Sequence, residues 1–218
     1  MRSQRTELIS AAALVAVSLA ISSANASTID ITIDTSVLNG VPAILAFDFI
    51  DGGPPDNSVT LSALTSDGAP GSTSTSGNVT GTGPWTFSDA GGPFFSELLA
   101  TFNPMGTSLS FSLSTTDHPP ALGSLPDAFS IVVLDASGTV PLITTDDPTG
   151  ANAVFLFNLG QGFGGVSVSK TDQEGFAVNA TPGVSLPEPN SAALLLAAVS
   201  SCLALRRSRK PATARSAA

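Results

Sequence analysis

The chain reads as an all-β protein, a single antiparallel β-sandwich of jelly-roll type carried between two apolar terminal segments. Three observations predict this. Short runs rich in Val, Ile, Phe and Thr recur about every 8 to 14 residues, cut by Gly, Pro, Asn and Asp, as in stacked antiparallel strands. No segment between the two ends has the periodicity of a long helix. The terminal segments are apolar and flanked by bases, unlike anything between them.

The first element is the N-terminal segment. Arg2 and Arg5 precede an unbroken Leu, Ile, Val, Ala and Ser run from Leu8 to Ile21, and Ala24-Asn25-Ala26 places small residues where a signal peptidase needs them. The apolar run is shorter than the roughly 20 residues that cross a bilayer. Residues 1–26 therefore read as a signal peptide cleaved between Ala26 and Ser27.

Residues 27–184 read as one exported domain. Ile29, Ile31 and Ile33 alternate with polar residues, as do Leu109, Phe111 and Leu113, so each run turns one face to a core and one to water. Ala43–Ile50, Ala128–Leu134 and Ala153–Phe157 are nearly continuous and suit central strands covered on both sides. Further strands are expected at Val59–Leu64, Trp85–Ser88, Phe94–Phe102, Val140–Thr144, Val166–Ser169 and Phe176–Asn179, about ten in all. Within them, Glu97–Thr101 has the composition of a helical turn. Asp67–Gly83, a run of Ser, Thr, Gly and Asn with little to bury, is expected to be a long surface loop.

Charge narrows the function classes. Between Ser27 and Pro189 the sequence has one base, Lys170, against 16 acids, a net charge of −15. A body this acidic cannot neutralise phosphates, which argues against nucleic acid as partner. The single Cys, Cys202, lies in the C-terminal apolar run, so the exported domain contains no disulfide.

Each candidate for chemistry has a plainer reading. Gly160-Gln-Gly-Phe-Gly-Gly165 has the spacing of a dinucleotide-binding turn, but Val166-Ser-Val-Ser follows where a helix would have to receive the pyrophosphate, so a glycine-rich hairpin loop is expected. His118, in Thr116-Asp-His-Pro-Pro120, is the only histidine, and no nucleophile turn accompanies it. Glu97 and Glu174 would be the carboxylates for glycoside cleavage. Trp85, the only Trp, is the aromatic side chain expected to stack on a sugar ring. No cofactor is expected, with calcium the one ligand that the acidic loops suggest, through Asp51 and Asp56 and through Asp146 and Asp147.

The last element, residues 185–210, is tripartite. Pro187-Glu188-Pro189 breaks the chain, an apolar helix is expected over Ser191–Leu205, and Arg206, Arg207, Arg209 and Lys210 follow. Fifteen helical residues reach only about 22 Å, short of the roughly 30 Å hydrocarbon core, which suits a transient stop better than a permanent anchor. The basic cluster orients residues 211–218 to the cytoplasm.

With its apolar helix and Arg cluster, Leu186-Pro187-Glu188-Pro189 resembles a PEP-CTERM sorting signal. Segments such as Ala46-Phe-Asp-Phe-Ile-Asp51 and Thr144-Thr-Asp-Asp-Pro-Thr-Gly150 also look like exported members of that family. The resemblance implies processing by exosortase near Pro187–Pro189, after transient insertion in the inner membrane, and delivery to the cell surface or extracellular matrix of a Gram-negative bacterium. The expected role is structural or adhesive within exopolysaccharide or biofilm, without catalysis. A secreted carbohydrate-binding module or glycan-active enzyme is the alternative.

Overall fold

A computed structural model of the protein describes residues 26–183, and these are all-β, organised as two antiparallel six-stranded sheets. The strands are β1 (Ala26–Asp34), β2 (Ala43–Ile50), β3 (Ser58–Ser66), β4 (Pro70–Ser76), β5 (Val79–Thr80), β6 (Trp85–Ser88), β7 (Phe95–Phe102), β8 (Ser108–Thr116), β9 (Ala128–Asp135), β10 (Phe155–Asn158), β11 (Val166–Val168) and β12 (Ala177–Pro182). One sheet has the order β12-β1-β8-β3-β6-β5, the other β11-β10-β9-β2-β7-β4.

The period-2 patterns choose the faces. Ile29, Ile31 and Ile33 of β1 and Leu109, Phe111 and Leu113 of β8 are all buried, while their polar neighbours look outward. Leu45, Phe47 and Phe49 of β2 and Phe129, Ile131 and Val133 of β9 meet them from the opposite sheet. Edge-to-face contacts between Phe47 and Phe111, with ring centroids 5.5 Å apart, and between Phe87 and Phe129, at 5.3 Å, join the sheets across the core. All three nearly continuous runs occupy interior positions, the third through β10, which lies between β11 and β9. β2 lies between β9 and β7, β9 lies between β10 and β2, and Ala46 and Val132 are buried on the outer side of their sheet. The pairings are nested in sequence, β1 with β8, β2 with β7 and β3 with β6.

Two expectations are corrected, over Asp67–Gly83 and Val140–Thr144, and the strand expected through Glu97–Thr101 is present. Asp67–Gly83 is largely strand: β4 pairs with β7 along the sheet edge and β5 pairs with β6. Every residue of β4 is exposed, so backbone hydrogen bonds rather than burial hold it, helped by the Thr101 hydroxyl donating to the Ser72 carbonyl at 2.9 Å. Glu97–Thr101 is extended, because its alternation sends Leu98 and Ala100 into the core. Val140–Thr144 forms no strand and contributes one isolated bridge, Pro141 to Leu134. β4 and β5 raise the strand number from about ten to twelve.

Ala26 and Ser27, on either side of the expected cleavage site, begin β1 and pair with Thr116 and Thr115. Ala24, the rest of the expected signal peptide, Pro187–Pro189, the expected helix 191–205 and the basic cluster lie outside the described residues. Among the described residues no helix is long and apolar enough to cross a membrane.

Candidate functional site

Three loops meet at the end of the sandwich where β2, β6 and β8 finish and β9 begins. Each carries an aspartate beside a strand end: Asp51 after β2, Asp89 after β6 and Asp127 before β9. One carboxylate oxygen from each lies within 4.8 Å of the other two. Asp127 and Asp89 are 2% and 6% exposed, and Asp51 is half-buried.

Asn57, itself buried, organises the cluster. Its amide Nδ2 donates to Asp127 Oδ2 at 2.7 Å and to the His118 carbonyl at 3.2 Å, and its backbone N–H donates to Asp89 Oδ1 at 2.7 Å. Its Oδ1 accepts from the His118 N–H at 2.9 Å, which ties the β8–β9 loop to the β2–β3 loop. The second Asp127 oxygen accepts from the Gly52 N–H at 2.7 Å. Glycine is required at position 52 by close approach, since a Cβ there would collide with the Leu125 and Pro126 carbonyls. The Asp51 N–H in turn donates to the Phe94 carbonyl at 3.0 Å, so the third loop is bound to the first.

The electrostatics of this end are unusual. Asp89 Oδ2 is buried and has no hydrogen-bond partner. Burial pushes the Asp89 carboxyl well above the ordinary range against the pull of the Asn57 N–H, and the neighbouring Asp127 carboxyl raises it further. Around the acids stand exposed apolar side chains from the same loops: Phe94 is 69% and Phe95 41% exposed, and Leu122 and Leu125 are exposed too.

Of the residues proposed to bind calcium, the structure brings only Asp51 into this cluster. Asp56 sits in the same loop with its carbonyl 3.0 Å from His118 Nδ1, the contact that shapes the turn around this histidine. Asp146 accepts from the Lys170 N–H at 2.7 Å. Asp147 closes its own loop, accepting from Thr149 Oγ1 at 2.7 Å and from the Ala153 N–H at 3.1 Å. Burial opposes ionisation of Asp147, but these donors together hold its carboxyl below the usual range. Asp89 and Asp127 were not singled out from sequence, although a signal was there: Asp51-Gly-Gly-Pro54 and Asp89-Ala-Gly-Gly-Pro93 repeat one pattern at the ends of two strands.

Trp85 faces the same side of β6 as the fully buried Phe87 and packs half-buried at the core margin, with Gly83 against its ring. Gly160–Gly165 is the loop of the β10–β11 hairpin, as expected, and includes a single 3₁₀ turn. Glu97 is directly opposite Asp48 on the outer face of its sheet. Asp48 Oδ1 is buried without a partner, and burial first, then the Glu97 charge, pushes the Asp48 carboxyl up to about 7.

At the opposite end of the sandwich, Asp34, Asp67, Thr107, Ser108 and Asn179 line an open depression. Asp67 accepts from Thr107 Oγ1 at 2.6 Å and from the Ser108 N–H at 2.8 Å. No protein-family model, curated protein or solved structure significantly matches the chain.

Proposed function

We propose that the chain is an exported protein of the cell surface or extracellular matrix, a jelly-roll-like sandwich with a non-catalytic, adhesive role in exopolysaccharide. The observation that carries the reading is the loop end, where Phe94, Phe95, Leu122 and Leu125 stand exposed around a buried acidic cluster. Apolar side chains held out of the core by tightly bonded loops form a contact surface, and aromatic rings pack on the apolar faces of sugars. The nested strand pairing supports the jelly-roll description. The signal peptide, Pro187-Glu188-Pro189 and the basic cluster support export and exosortase processing.

Two measurements test it. Mass spectrometry of the surface fraction should find the mature protein without Arg206–Lys210, and finding them attached would sink the sorting route. Binding to the producing cells' exopolysaccharide should fall at least about tenfold in a Phe94→Ala, Phe95→Ala variant and stay within about twofold in Trp85→Ala, a contrast consistent with the burial of each ring.

A glycan-active enzyme is the second reading, and Asp48 with Glu97 favours it. Paired carboxyls, one of them protonated near neutral pH, are what acid and base roles in glycoside cleavage require. Turnover of the polysaccharide that disappears in Glu97→Gln would select this reading over the first.

A further inference from the structure

We infer that the loop end holds a calcium ion through Asp51, Asp89 and Asp127, a site separate from the apolar surface proposed above for glycan contact. The first support is geometric. Calcium bonds oxygen at 2.3–2.6 Å, so two oxygens on one ion lie no more than about 5 Å apart, and all three carboxylate oxygens satisfy that limit within 4.8 Å.

The second support is the lone oxygen. Asp89 is more than nine-tenths buried, its Oδ1 takes the Asn57 N–H, and its Oδ2 has no donor although it is sealed from water. A buried carboxylate oxygen without a donor costs free energy that a cation would recover. The ring of donors around the cluster is also incomplete in the required sense. Gly52, Gly53 and Asn57 supply N–H groups to Asp127, Asp51 and Asp89, but no Lys or Arg among the described residues forms a salt bridge there, and Lys170, the only base of the exported region, follows β11.

The other titratable groups near the cluster are Asp56, Asp117 and His118. Asp117 is committed to the Gly160 and Ser27 donors, and His118 Nδ1 faces the Asp56 carbonyl. Carbonyls and water would complete the six to eight ligands that calcium takes. The ion would staple the β2–β3, β6–β7 and β8–β9 loops, which no disulfide can do in this cysteine-free region. An affinity between about 10⁻⁴ and 10⁻³ M is expected, that of extracellular calcium modules.

The alternative occupant of the cluster is a proton on Asp89, and one experiment separates the two. Full-length protein in detergent, stripped with EGTA at pH 7.5, is melted while calcium is titrated in, and calorimetry gives the stoichiometry. One calcium per chain is expected, with Tm rising by roughly 5–10 °C at a hundredfold excess over Kd. Asp89→Asn and Asp51→Asn should each remove most of that rise, while Asp146→Asn keeps it. If Asp89→Asn does not fold, Asp51→Asn and the wild-type stoichiometry decide. The inference is overturned if calcium leaves the wild-type Tm unchanged, if both variants respond as the wild type does, or if magnesium acts equally at the same concentration. Because exopolysaccharide binding is a separate readout, failure here leaves the adhesive reading standing.

Discussion

The two ends of the sandwich treat the same side chain in opposite ways. At the open end, the Thr107 hydroxyl and the Ser108 N–H hold the exposed Asp67 carboxyl down to about 2, and Ser36 likewise lowers Asp34. At the loop end, Asp89 and Asp127 lie sealed from water, and burial drives Asp89 upward although a backbone N–H reaches it. β8 connects the two environments, from Ser108 beside Asp67 to Thr116 beside Asn57. The difference teaches that burial alone does not set the charge state: several donors hold even the buried Asp147 low, whereas Asp89, with one oxygen lacking any donor and a like charge beside it, is driven up. Only the second arrangement leaves an unmet demand for a positive charge.

The contrast can be broken most forcefully at Asn57. Replacing Asn57 by Ala removes bonds to Asp127 and to both backbone groups of His118, and leaves Asp127 short of a buried donor. A loss of about 3 kcal/mol, near 10 °C in Tm, is expected by thermal melting. A change below about 2 °C would mean that the loop end is not held as described.

Of comparable size, but spread over several pH units, is the pH dependence contributed by Asp48. Its folded value is raised to about 7 from 3.8, so between pH 4 and 7 the native state binds more protons than the unfolded state, and stability falls as pH rises. The loss reaches at most about 4 kcal/mol by pH 8. Asp89 acts in the same direction, and calcium should suppress its share. An Asp48→Asn variant should flatten the remaining slope in denaturant titrations at fixed calcium, and an unchanged slope would refute the assignment to Asp48.

The smallest effect belongs to the open end. Asp67 is lowered to about 2, so its contribution is present above about pH 4 and disappears as pH falls toward 2. Asp67→Asn should weaken that acid-side loss and lower Tm at pH 7 only slightly, since water screens this exposed carboxylate. An effect as large as that of Asn57→Ala would erase the distinction between the ends.

Much of the fold was legible because alternation is local. The isoleucines of β1 and the Leu-Phe-Leu of β8 needed no partner to declare their faces. β4 was not legible, since a strand made of Pro, Gly, Ser and Thr carries no hydrophobic pattern and exists only because β7 offers it an edge. The site was half legible. Asp51 announced itself in an acidic loop, whereas the exposure of Phe94 and Phe95, and the half-burial of Trp85 on the same face of β6 as Phe87, depend on how the loops and strands pack.

By itself the sequence determined the all-β class, the faces of the strong strands, the acidity of the body and the separation of that body from its basic, apolar ends, because each depends on composition or on neighbours two residues apart. The tertiary structure alone decided which acids meet. Asp51, Asp89 and Asp127 are spaced 38 residues apart along the chain and come within 4.8 Å only because both sheets bring their strand ends to one place. Whether a carboxylate is solvated or starved of partners is a property of that meeting, since burial and like charge exist only once the chain has folded around it.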